Sequence, residues 1–122
     1  KKEKFSEEDI TELLEWIKNC IGEACCLNTC GTSDNFYNVL KDGIILCKLV
    51  NSFQPSSVPR IQAPISKFAM MENVEAFVRV ARLMGVADEE TFQSGDLVER
   101  RDLFAVYMCC LALGRLVKPS GS

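Results

Sequence analysis

Four cysteines crowd one short stretch of the chain, Asn19-Cys20-Ile-Gly-Glu-Ala-Cys25-Cys26-Leu-Asn-Thr-Cys30. Four thiolates are the number that a structural zinc site uses. The spacing C-x4-C-C-x3-C lacks the paired C-x2-C knuckle, however, and adjacent ligands constrain a tetrahedron. Cys20, Cys25, Cys26 and Cys30 are therefore read as free thiols, candidates for a metal by type only, with oxidation as the other chemistry open to exposed ones. Cys47, Cys109 and Cys110 fall inside apolar runs, where a free cysteine acts as a small hydrophobe. Seven cysteines in all is an odd number, which suits a reduced, cytosolic protein better than a disulfide scaffold.

Catalytic chemistry finds little to work with. The chain has no histidine, the usual acid–base group, and neither a G-x-S-x-G elbow nor a Gly-rich phosphate loop. Its 17 acidic residues read as solvated helix faces and caps. The expectation is no enzyme, no catalytic residue and no cofactor.

Composition narrows the remaining classes. With 122 residues the chain suits one compact domain over 1–118, and 119–122 reads as a tail of the kind cloning leaves. Fourteen basic residues against 17 acidic ones give a net charge of −3, which argues against nucleic acid, since phosphate binding needs clustered Lys and Arg. The longest apolar run, residues 103–113, is too short to span a bilayer, and no basic-then-apolar leader is present. No membrane partner is expected.

The elements that must position these residues are helices. Ser6 reads as an N-cap followed by acids that suit a helix dipole, and Ile10, Leu13, Leu14, Ile17 and Ile21 recur at helical spacing behind it. Gly22 to Asp34 reads as a polar loop, with a short helical turn beginning near Asp34. From Val39 to Phe53 nearly every direction is apolar, which predicts a buried helix with Asp42-Gly43 as a helix-start feature. Ser56 to Lys67 holds Pro59 and Pro64 and predicts an irregular connector. Met70, Val74, Phe77, Val78, Ala81 and Met84 then form a helical stripe ending at Gly85, with Glu75 and Arg79 in the favourable i,i+4 order on the other face. Asp88 to Gln93 predicts a short helix, and Asp102 caps a final apolar helix over Leu103 to Val117. The fold class is all-α: four main helices, two buried and two amphipathic, plus short connecting helices.

These residues resemble a calponin homology domain over roughly Glu7 to Leu116. The carriers are Leu14-Glu-Trp16-Ile17, then Leu40-Lys-Asp42-Gly43-Ile-Ile-Leu46-Cys47-Lys-Leu49-Val-Asn51. Gln54-Pro55, Glu72-Asn73-Val74 with Phe77, Gly85-Val86 and Asp96-Leu97 follow in order. The Trp-Ile pair and the single copy are most similar to the third type of this domain, found in calponin and transgelin. About seven extra residues precede Asp34 relative to calponin, where loops accept insertions. The resemblance implies a cytoskeletal or signalling interaction module, cytoplasmic and monomeric in isolation. It also implies F-actin association that is weak when the domain stands alone. A regulatory scaffold without its own actin binding is the alternative, and microtubule binding is a weaker one.

Most motif residues are assigned to folding. Trp16, Ile17, Gly43, Leu46, Leu49, Phe77 and Leu97 are the expected core, and Asn51 and Asn73 are expected to satisfy backbone groups at its edge. Recognition then falls to surface charge. Actin is acidic, so the candidate contacts are Lys41, Lys48, Arg79, Arg82, Arg100 and Arg101. Clustering of the four arginines on one face would favour a filament-binding module, and an acidic or apolar groove would favour a scaffold.

Overall fold

The computed structural model describes residues 6–22 and 27–117. Six α-helices occur among them: α1 Glu7–Ile21, α2 Ser33–Leu40, α3 Ile44–Phe53, α4 Lys67–Met84, α5 Ser94–Val98 and α6 Leu103–Val117. The four long helices are α1, α3, α4 and α6. The predicted short helix at 88–93 is a single 3₁₀ turn, Asp88–Glu90, and α5 is an additional helix that the sequence pattern did not reveal.

Local chemistry fixes the boundaries. Ser6 and Asp9 form a reciprocal capping box, each side chain accepting the other's backbone N–H at 3.1 Å. Thr32 caps α2 and Ser66 caps α4, both through the hydroxyl. Gly85 ends α4 at φ 122°, and Asp102 Oδ1 accepts from the Ala105 N–H at 3.1 Å to open α6.

The apolar stretch from Val39 to Phe53 is not one helix. The chain leaves α2 after Leu40, turns, and re-enters helix at Ile44 through Gly43, which sits in the left-handed region at φ 75°. Asp42 Oδ1 accepts from the Ile44 N–H at 3.0 Å, so this Asp-Gly pair does open a helix, but with a break before it. Apolarity alone could not locate that break, because both flanking segments are buried.

Helix α4 lies across α3, α5 and α6, with Val74, Phe77 and Ala81 fully buried along one face. Its partners in the core include Leu46 and Leu49 from α3, Leu97 from α5 and Leu113 from α6, all fully buried. Burying each such side chain contributes about 1.5–3 kcal/mol against exposure. Helix α1 closes the core with Ile10, Leu14 and Ile17. The irregular connector 54–66 is held to this frame by two amides. Asn51 exchanges two hydrogen bonds with the Val58 backbone, at 2.8 and 3.1 Å. Asn73 accepts from the Gln62 N–H at 2.8 Å and donates to its carbonyl at 2.9 Å.

Candidate protein-interaction surface

Three of the thiols and three of the aspartates serve the structure. Burial pushes the Cys47 and Cys109 thiols up to about 12, and raises Cys110 too, so none is a nucleophile near neutrality. Cys47 Sγ donates to the Asn73 carbonyl at 3.2 Å. Asp102 caps α6, Asp96 accepts the Gln93 N–H at 3.0 Å at the start of α5, and Asp42 accepts the Ile44 N–H from one residue outside the Gly43 N-cap. Of the four clustered cysteines, Cys20 is half-buried and Cys30 exposed, while Cys25 and Cys26 lie outside the described residues. No group of three or more His, Cys, Asp or Glu side chains that could hold a metal occurs among the described residues. No helix among them is long and apolar enough to cross a membrane.

The core candidates sit as follows. Ile17, Leu46, Leu49, Phe77 and Leu97 are fully buried. Gly43 is buried against α4. Trp16 is only half-buried: its ring stacks on Phe53 at a centroid distance of 5.9 Å, and another edge faces a surface groove.

The six basic candidates divide among three places. Lys41 and Arg100 both lie over the Tyr37 ring, with cation-to-centroid distances of 5.5 and 5.3 Å. Tyr37 is itself fixed by donating its hydroxyl to the Val98 carbonyl at 2.9 Å, which ties α2 to α5. Arg100 also pairs with Asp34 at 2.6 Å and adopts φ 57°. Arg82 and Arg101 line one groove beside α4, and Arg79 lines the next, with Glu75 between them. Arg82 is bound to Asp88 at 3.0 Å and Arg101 to Glu99 at 3.6 Å. Lys48 is exposed on α3. The four arginines thus do not form one cluster, because Arg100 turns to α2 while the other three flank α4.

The expected Glu75–Arg79 pair does not form within 4.0 Å; Glu75 instead accepts from the Ser94 hydroxyl at 3.2 Å. Sequence reasoning also missed Tyr37 as the residue that gathers Lys41 and Arg100. The i,i+4 spacing of Tyr37 and Lys41 was a local signal for half of this cluster, whereas Arg100 reaches α2 only through the tertiary fold.

Six helices among the described residues, packed around one apolar core, define an all-α domain. The chain belongs to the calponin homology (CH) domain family, whose model matches residues 7–118. It is 36% identical over 104 residues to muscle-specific protein 20 of Drosophila melanogaster, covering 85% of this chain and 54% of that protein. It is 30% identical over 120 residues to calponin-1 of Meleagris gallopavo, covering 98% of this chain and 64% of the relative. Myophilin of Echinococcus granulosus is 36% identical over 105 residues, covering 85% of this chain and 53% of the relative. The chain therefore spans between half and two thirds of the length of these relatives.

Proposed function

We propose that this domain is the non-enzymatic, cytoplasmic interaction module of a cytoskeletal protein, monomeric in isolation, and that it associates with F-actin. The observation that carries the reading is the basic pair Lys41 and Arg100, held over Tyr37 at the α2–α3 junction. Two cations braced on one ring lose little side-chain freedom on meeting an acidic filament. Family membership supports the same reading. Asp34 offsets part of the Arg100 charge, which suits weak rather than tight binding.

Cosedimentation with F-actin at low and physiological salt tests this, with microtubules in parallel. Pelleting with actin is expected, weaker at higher salt, and Lys41→Glu should reduce it. Absence of actin pelleting at either salt would replace this reading with that of a regulatory scaffold without its own filament affinity. One specific feature favours that second reading: an apolar groove with an acidic lip between α1 and α6. Pelleting with microtubules alone would point to tubulin, a weaker reading because both partners are acidic.

A further inference from the structure

Helices α1 and α6 leave an open groove of about 230 Å³ between them. Leu13 and Tyr107 form a buried apolar floor, and Trp16 lines the wall. The Trp16 ring is braced from behind by Phe53. Across from it α6 presents buried Gly114, whose lack of a side chain lets the ring pack close to the α6 backbone (a Cβ there would already touch it at 3.5 Å), so the groove opens along the rest of the ring. Asp9 and Glu12 form the α1 lip, while Leu111 and Arg115 form the α6 lip. The Arg115 guanidinium is already bound to Glu90 at 2.9 Å, so the groove keeps a negative field. Burial first, then the charges of Asp9 and Glu12, raise the Tyr107 phenol.

The groove follows both helices. Asp9, Glu12 and Trp16 lie at i, i+3 and i+7 on α1, and Tyr107, Leu111 and Gly114 at i, i+4 and i+7 on α6. Each set spans about two turns, roughly 10 Å, the spacing at which another helix presents its own i, i+3/i+4 anchors. We propose that this groove receives a basic amphipathic helix from a partner protein. Its apolar anchor sits against Trp16 and Leu111, and its Lys or Arg side chains sit beside Asp9 and Glu12. Anionic lipid, acidic segments and a second copy of this chain, whose net charge is −3, are repelled by the same lip. This surface is distinct from the Lys41–Arg100 pair and carries the opposite charge.

Trp16 is the only tryptophan, so its emission reports occupancy directly. The probe is a synthetic Leu/Lys amphipathic helix of about 14 residues, long enough to be helical once bound. A scrambled isomer and a Leu/Glu helix serve as controls. A saturable change in Trp16 emission is expected with the Leu/Lys helix alone, with amide NMR shifts concentrated on α1 and α6. Affinity should fall about tenfold in Glu12→Lys and in Leu111→Lys. Glu15→Lys, on the same helix but away from the groove, should leave it within about twofold, separating docking from general charge attraction. Unchanged thermal melts show that the variants fold, and their F-actin pelleting should match the unsubstituted domain. The proposal is overturned by absence of saturable binding, by equal response to the Leu/Glu or scrambled peptide, or by shifts mapping elsewhere. It is equally overturned if Glu12→Lys and Leu111→Lys bind as well as the original, or if emission tracks self-association instead.

Discussion

Gly43 and Asn73 occupy complementary space: a Cβ on Gly43 would lie 2.6 Å from the Asn73 Cβ and 2.8 Å from the Val74 backbone nitrogen. From the same place, Asn73 Nδ2 donates to the Asp42 carbonyl at 2.9 Å. The α2–α3 turn and the middle of α4 are thereby locked by one close approach and one amide. Because Lys41 sits in that turn, the lock also sets where its charge is presented.

Gly43→Ala should destabilise the domain by about 3 kcal/mol. Left-handed backbone costs a non-glycine residue roughly 1–2 kcal/mol, and forced overlap with backbone adds roughly 1–3 kcal/mol. Urea unfolding should show a lower midpoint with an unchanged slope. A midpoint equal to that of the unsubstituted chain would mean that α4 yields easily, contrary to its central packing.

Asn73→Ala leaves the Asp42 carbonyl and both Gln62 backbone groups without their partner in a buried site. The expected loss is about 2–4 kcal/mol, against about 1 kcal/mol for Asn51→Ala at its half-buried position. Hydrogen exchange gives an independent readout. The Gln62 amide should lose protection in Asn73→Ala, and the Val58 amide in Asn51→Ala.

Ser56 adopts φ 66° on the surface of the connector. Glycine removes a left-handed penalty of roughly 1–2 kcal/mol but restores about 0.4–1 kcal/mol of unfolded-chain freedom. Ser56→Gly should thus be stabilising by about 0.5–1 kcal/mol, visible as a rise in Tm. A β-branched substitute, Ser56→Val, should lower Tm instead. Equal melting of both would remove the strain argument.

Alkaline stability should follow the buried thiols. In the unfolded chain they ionise near 9.0, whereas in the fold Cys47 and Cys109 stay protonated to about 12. Below 9.0 both states hold the proton and pH has no leverage through these groups. Above it the unfolded chain releases protons first, so stability falls as pH rises from 9.0 toward 12. Cys109→Ala should flatten that decline in a urea midpoint series. At pH 8, thiol labelling should reach exposed Cys30 while Cys47, Cys109 and Cys110 stay unreacted until the domain unfolds.

Where the sequence was legible, a local rule was at work. Helical periodicity revealed α1 and α4, and capping chemistry placed Ser6, Gly85 and Asp102 at helix ends. It failed in two kinds of place. The Val39–Phe53 run hid a break, because burial on both sides makes both flanks apolar. The five-residue helix α5 is too short to show a period, and its capping box, Gln93 with Asp96, uses an uncommon N-cap.

By itself the sequence determined the all-α class, the family resemblance, and the assignment of Cys47, Cys109 and Cys110 to packing and of Asp42, Asp96 and Asp102 to helix ends. Those are consequences of residue type and near-neighbour spacing. Only the tertiary structure decided which charges stand together: that Arg100 joins Lys41 on Tyr37 and parts from Arg101, and that Asp9 and Glu12 border an open groove walled by Trp16. Caps and periodicity act within a turn or two of chain. Surfaces are assembled from helices far apart in sequence, so their charge pattern exists only once the core has packed.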